Sequence, residues 1–281
     1  MRDHKTIRVA ASDDTGIQNL FELLAIAAGR KVMEIFHAGC EVGRKDDASP
    51  VTEADHASEA VILEGLRAAC PQIPCVAEEE AAAGILPGDL GEAFFLVDPL
   101  DGTREFIRQS GDFTVNIALV RGGVPQVGVV YAPHGRRFFS GRPGLAESLE
   151  LDVQDRIVGR HEISVRMAAQ PLTIVASRSH RTPETDSYIA GFEKAEIASV
   201  GSSLKFCLLA AGEADLYPRF GRTMDWDTAA GDAVLRAAGG STQTLDGEPL
   251  AYGKRNQPDD SDFANPHFVA RGGVAPALAR S

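Results

Sequence analysis

Four apolar residues, Phe94-Phe95-Leu96-Val97, run directly into Asp98-Pro99-Leu100-Asp101-Gly102-Thr103. The apolar run reads as a short buried strand, so any fold of this chain must deliver two carboxylates and a hydroxyl where a core strand ends and a loop begins. Pro99 fixes one backbone angle between Asp98 and Asp101, and Gly102 permits a sharp turn that returns Thr103 to the same place. A surface turn is the plain alternative, because Asp, Pro and Gly make turns generally.

Two other readings can be tested on the residues. An EF-hand loop starting at Asp98 needs an oxygen ligand where Leu100 stands and a Glu where Gln109 stands, and has neither. A haloacid-dehalogenase-type phosphatase also joins a strand-ending Asp to Asp-Gly-Thr, but with one residue between its carboxylates where this chain has Pro99 and Leu100. That reading stays open as the alternative.

The length of 281 residues suits one large domain or two closely packed lobes, and 44% hydrophobic with 24% charged residues is a globular composition. No apolar run is long enough to cross a bilayer, and the polar start Met1-Arg2-Asp3-His4-Lys5 is not followed by a signal-peptide core, so a cytoplasmic location is expected. The four cysteines, Cys40, Cys70, Cys75 and Cys207, lack Cys-x-x-Cys spacing and read as free, mostly buried thiols. A net charge of -12 argues against a nucleic-acid polymer as partner. Residues 1–170 hold 17 Lys/Arg against 26 Asp/Glu, whereas residues 171–222 hold 6 against 6. A cation is therefore expected in the first half and an anionic substrate in the second.

The first 16 residues read as a loose leader. Helical stripes follow over residues 18–36 and 57–69, the second preceded by Thr52-x-x-Asp55, which has the form of a capping box and would by itself explain Asp55. A short strand at residues 74–77 runs into Glu78-Glu79-Glu80, ordinarily a solvated loop. Strands over residues 113–120, 127–132 and 137–140, separated by tight turns, suggest an antiparallel meander. Residues 141–170 carry no clear pattern. Beyond them strands at 172–176, 197–200 and 214–217 alternate with helices starting at Pro183, spanning 202–211, and spanning 227–238 with Asp227 as cap. The first part is thus α+β, the second α/β, with lobes 1–170 and 171–281 sharing a core.

Asp55, Glu78, Glu79, Asp98, Asp101 and Asp227 all fall at element boundaries. If they converge, each pair at about 4 Å repels by roughly 4 kcal/mol at an effective dielectric near 20, so the cluster requires cations. Carboxylates and a main-chain carbonyl suit magnesium, and two ions stabilise both the entering and leaving oxygens of a phosphoryl transfer.

Phe95-x-x-Asp98-Pro-Leu-Asp101-Gly-Thr103 and Trp226-Asp227-x-Ala-Ala-Gly231 resemble the two signatures of the lithium-sensitive, magnesium-dependent inositol monophosphatase family. Further stretches are similar to its 3′(2′),5′-bisphosphate nucleotidase branch: Lys45-x-x-x-Ser-Pro-Val-Thr-x-Ala-Asp55, Leu100-Asp-Gly-Thr-Arg-Glu-Phe-Ile107, Phe113-Thr-Val-Asn-Ile-Ala-Leu119, Gly128-Val-Val-Tyr-Ala-Pro133, Ser177-Arg-Ser-His180, Gly201-Ser-Ser-Leu-Lys-Phe-Cys207 and Leu216-Tyr-Pro-Arg-Phe-Gly221. The likeness spans residues 18–270. It implies a layered α/β/α/β/α sandwich and a monomer or homodimer acting on a small-molecule adenosine bisphosphate, with inositol monophosphate or a sugar bisphosphate as the alternative substrate.

Carried over to this chain, the resemblance puts Glu78, Asp98 and the Leu100 carbonyl on one Mg2+, and Asp98, Asp101 and Asp227 on a second, with a weaker third at Glu78. It makes Asp55 and Thr103 the pair that activates water, with Glu79 beside them. Gly102, Ser177, His180, Ser202, Ser203, Lys205, Arg219 and Arg222 are the expected substrate contacts. For His180 an ordinary exposed histidine is an equal reading, and Lys205 also reads as a solvated residue on a helix stripe. Lys45 precedes a polar loop expected to close over the metals. A magnesium-binding sensor is the non-enzymatic rival, but it would not require the whole hydrolytic set.

Overall fold

The computed structural model describes residues 8–39, 42–44, 50–168, 170–177, 181–192 and 194–273. The first apolar stripe forms α1 (Asp14–Ala38), which buries Ile17, Phe21, Ala25 and Val32 and is capped by the Asp13 carboxylate on the Gly16 N–H. The segment before it is not loose where described. Val9 N–H donates to Ala69 O, and the Arg121 guanidinium donates to Ala11 O.

A short antiparallel ribbon of β1 (Val42–Arg44) and β2 (Pro50–Thr52) leads into α2 (Glu53–Ala69). β3 (Cys75–Ala77) pairs in parallel with β4 (Ala93–Asp101), and α3 (Glu78–Ala82) begins between them. The acidic run Glu78-Glu79-Glu80 thus opens a helix instead of a solvated loop; the positive end of the helix dipole favours carboxylates there. After α4 (Thr103–Ile107) come β5 (Thr114–Arg121), β6 (Val124–Ala132), β7 (Arg137–Arg142), β8 (Leu145–Leu151) and β9 (Ile157–Glu162). These hairpins complete a seven-stranded sheet ordered β3-β4-β5-β6-β7-β8-β9, antiparallel except at β3 and β4. The unpatterned stretch is therefore the end of the meander. β9 is an edge strand with little of either face buried, so it has no reason to alternate.

The second sheet takes β10 (Thr173–Ser177), then, after α5 (Pro183–Ala190), β11 (Glu196–Val200), and, after α6 (Leu204–Ala210), β12 (Leu216–Arg219). These three are parallel. Past α7 (Asp225–Ala237), β13 (Ser241–Thr244) and β14 (Phe268–Arg271) add antiparallel to give the order β11-β10-β12-β14-β13.

Five layers result. Helices α1 and α2 cover one face of the large sheet; α6 and α7 lie between the sheets; α5 covers the outer face of the small one. β4 lies inside this stack, with Phe94 and Leu96 in the inter-sheet core and Phe95 and Val97 in the core under α1 and α2, which is why its sequence is apolar without alternation. Helix α7 sits so close to the large sheet that a Cβ on Gly128 would lie 2.5 Å from Ala230 O and one on Gly141 2.7 Å from the Val234 Cα. Glycine at these two strand positions lets the helix backbone approach. Of the cysteines, Cys70, Cys75 and Cys207 are buried free thiols; Cys40 lies outside the described residues. No helix among the described residues is long and apolar enough to cross a membrane.

Candidate active site

The parallel register pairs Ala77 with Val97, so the next residues, Glu78 and Asp98, stand side by side where β3 ends. The strand does not end at Asp98, as the sequence suggested. Asp98 still pairs with Asn116, the register then shifts, and Asp101 pairs with Thr114, so Pro99 and Leu100 form a bulge within β4. The bulge suits proline, which has no N–H to give a ladder. Gly102 follows with φ +95°, and an added Cβ would come within 3.0 Å of Asp112 O, so this turn into α4 requires glycine.

Helix α7 supplies the last carboxylate from the far half of the chain. Asp227 is the third residue of the helix, not its cap; its side chain accepts the Met224 N–H at 2.8 Å. Carboxylate oxygens of Glu78, Asp98 and Asp227 lie within 4.8 Å of one another. Asp101, half-buried, lines the same cavity, and its Oδ2 is 2.9 Å from Ser203 Oγ. The Ser203 hydroxyl is also 2.6 Å from Asp227 O and accepts from Asn116 Nδ2 at 3.0 Å, so its single proton serves one of the two acidic residues at a time.

Crowding shifts these groups. Burial first, then Glu78, Asp101 and Asp227, holds the Asp98 carboxyl well above the usual carboxylate range; burial, Asp101 and Glu78 do the same to Asp227. Burial also raises Asp101, opposed by the Lys205 ammonium and the Ser203 hydroxyl. The carboxylate repulsion in each shift, second to burial, is what a cation would offset. An oxygen-only set of this kind fits a hard divalent ion.

Asp55 and Thr103 meet behind this cluster. Thr103 Oγ1 is 3.1 Å from Asp55 Oδ1 and 3.3 Å from Leu100 O, and Asp55 Oδ2 accepts both the Thr52 N–H and the Thr52 hydroxyl, at 2.7 and 2.8 Å. The capping box is thus real, and the same carboxylate also reaches Thr103.

A cavity of about 630 Å³ opens over these groups. Its lining includes Glu78, Asp98, Leu100, Asp101, Gly102, Thr103 and Asp227, together with Ser177, Ser202, Ser203, Lys205, Arg219 and Arg222. Asp55 and Glu79 are buried next to it without lining it. His180 and Lys45 lie outside the described residues. Lys205 is not a solvated helix residue: it is 4% exposed, its ammonium donates to the Val200 and Ser202 carbonyls and lies 5.3 Å above the Tyr217 ring. Burial, partly opposed by Asp101, pulls it down to about 8. Arg219 is buried and donates to Arg222 O, while the exposed Arg222 is engaged by Asp260 and Ser261.

The inositol monophosphatase family model matches residues 13–264. The chain belongs to the inositol monophosphatase family. It is 44% identical over 247 residues to the 3′(2′),5′-bisphosphate nucleotidase CysQ of Salmonella typhimurium, covering 87% of this chain and 95% of that one, and equally to that of Escherichia coli strain K12. Among solved structures it is similar to CysQ from Bacteroides thetaiotaomicron, with 34% identity, a TM-score of 0.75, and coverage of 95% of this chain and all of the other. An inositol monophosphatase from Anabaena has 27% identity and a TM-score of 0.71 over 94% of each chain. The layered sandwich is that of the family.

Several residues of this family site were not singled out from sequence. Asn116 lies opposite Asp98, and Ser58 and Glu59 lie beneath the carboxylates on α2. Leu86, Met224 and Phe263 join the signature residue Trp226 in the apolar part of the cavity lining. Asn116 was legible, with Thr114, as a polar side chain inside an otherwise apolar strand; Ser58 and Glu59 were legible as polar residues on the Asp55 face of α2.

Proposed function

We propose that the protein is a magnesium-dependent phosphatase that hydrolyses the 3′-phosphate of 3′-phosphoadenosine 5′-phosphate to AMP and phosphate. The reading rests on one observation: the likeness to bisphosphate nucleotidases runs through nearly their whole length, and a cavity in this chain sets an acidic cluster against buried Lys205 and Arg219. Glu78, Asp98 and the Leu100 carbonyl would hold one ion, and Asp98, Asp101 and Asp227 another. Bound there, magnesium neutralises the phosphate and stabilises entering and leaving oxygens.

The rest is the work of the chain itself. Thr103 donates to Asp55, which leaves its oxygen turned to accept from the attacking water; the proton passes to Thr103 as the Thr103 proton passes to Asp55. Asp55 is fixed for this by its two bonds from Thr52. Water attacks phosphorus in line and the 3′-oxygen leaves, with no bond between Asp98 and phosphorus at any stage. Lys205 and Arg219 are the cations for the 5′-phosphate, Ser177 and Ser203 supply neutral contacts, and Gly102 admits the substrate close to the backbone. Glu79 steadies the neighbouring Glu78.

Phosphate release with Mg2+ from 3′-phosphoadenosine 5′-phosphate, its sulfated analogue, inositol monophosphate and fructose bisphosphate tests this. The adenosine bisphosphate is expected to give the highest kcat/KM, and a preference for inositol phosphate would overturn the substrate assignment. Isolation of an aspartyl-phosphate at Asp98 would overturn the mechanism.

A further inference from the structure

Three side chains on one face of α2 each reach a different arm of the site. Asp55, Ser58 and Glu59 stand three and four residues apart and are 2%, 0% and 5% exposed. Asp55 Oδ1 holds Thr103 at the start of α4. Ser58 Oγ donates to Pro99 O, inside the β4 bulge, at 2.9 Å. Glu59 reaches the start of α3, where Oε2 accepts the Glu79 N–H at 2.8 Å and Oε1 accepts the Glu80 N–H at 3.0 Å.

The last contact replaces something α3 lacks. Its cap position is Ala77, which has no side-chain acceptor, so the first-turn N–H groups need a partner from elsewhere. A carboxylate from another helix takes the place of a capping residue. The helix is five residues long and cannot hold itself by propagation. Glu78 is its first residue, so the direction of the Glu78 side chain follows from how that turn is held.

We infer that Glu59 is a positioning residue: by capping α3 from α2 it keeps the Glu78 carboxylate grouped with those of Asp98 and Asp227, and the metal affinity of the site depends on it. The inference rests on the reading of Glu78 as a metal ligand. Glu59 touches neither substrate nor ion. It acts through the backbone of Glu79 and Glu80, and its loss leaves one buried and one partly buried N–H group without the acceptor each has here.

The test is Mn2+ binding, followed by the electron paramagnetic resonance of free Mn2+, on the full chain and on Glu59→Gln, Glu78→Gln and Glu59→Gln/Ala77→Ser. Glu59→Gln keeps the shape but can accept at one oxygen, and is expected to weaken Mn2+ binding by about 10–100-fold while KM for the nucleotide at saturating Mg2+ stays unchanged. Ala77 has the extended backbone of a capping residue, φ -120° and ψ 147°, so a serine there restores a local acceptor. The double variant is expected to recover most of the lost affinity; a loss due to the missing negative charge alone would not be rescued by a neutral hydroxyl.

Glu59→Gln binding Mn2+ like the wild type, beside a Glu78→Gln that has lost it, overturns the positioning role. Glu78→Gln binding Mn2+ like the wild type overturns the ligand assignment, and the positioning role with it. Should Glu59→Gln not fold, the double variant decides: a folded protein with near-native Mn2+ affinity supports the capping account, and failure of both to fold refutes it.

Discussion

Asp55 and Asp227 occupy the same place in two different helices. Each is the third residue, and each turns its carboxylate back to accept the N–H of the residue before the helix. The local geometry is alike; the surroundings are opposite. Asp55 is ringed by donors, from the Thr52 backbone and hydroxyl and from Thr103. Asp227 faces the carboxylates of Glu78 and Asp98, with oxygens of all three within 4.8 Å. One helix start is thus given two surroundings by what the tertiary structure sets opposite it, donors that suit the proton acceptor proposed above and carboxylates that suit the proposed cation ligand.

The largest expected effects come from removing charge on the cation side of this pair. Asp227→Asn and Asp98→Asn should each lower kcat by about 10³-fold or more and weaken Mg2+ binding measured by calorimetry, while the metal-free proteins melt higher than the wild type because a repulsion is gone. A metal-free melting point that falls would sink the claim that these groups repel. Asp55→Asn tests the other side. It keeps an oxygen for the cap, so stability should hold, while kcat falls by about 10²–10⁴-fold with Mg2+ affinity near native. Asp55→Ala should lose about 1 kcal/mol of stability in addition, by urea unfolding.

A smaller effect separates the two by pH. The folded-state values of Asp98 and Asp227 lie above the ordinary 3.8. Their contribution to stability is therefore fully present below that value and is lost as pH rises through the raised folded values. Metal-free protein should accordingly lose stability as pH climbs from about 4, and the rise in Tm on adding Mg2+ should widen over the same range. A Mg2+ shift independent of pH in calorimetric scans would contradict the assignment. The smallest expected change is at Thr52→Ala, which removes a cap worth about 1 kcal/mol and one bond to Asp55, with Mg2+ affinity untouched.

Much of this was legible in the chain as written. The continuous apolar run of β4 announced a strand buried on both faces, and Thr52-x-x-Asp55 announced a helix start that is present. The bulge was not legible, because Asp-Pro-Leu-Asp reads as the beginning of a loop, and pairing of Asp101 with Thr114 is decided by the neighbouring strand. β9 was not legible because a strand with exposed faces need not alternate. The solvated alternative for Lys205 fails because a helix stripe says nothing about a second sheet arriving over it.

The amino-acid sequence by itself determined which groups stand at the ends of elements: carboxylates after β3, within the end of β4 and at the starts of α2 and α7, with Gly102 where a left-handed turn is needed. These follow from local sterics and from the unpaired N–H groups of helix starts, which act within a few residues. The tertiary structure alone decided which of them meet. Asp227 reaches Asp98 because α7 nests on Gly128 and Gly141, and Glu59 reaches α3 because α2 packs beside it. Convergence of that kind depends on the packing of whole layers, a property that no short stretch of the chain contains.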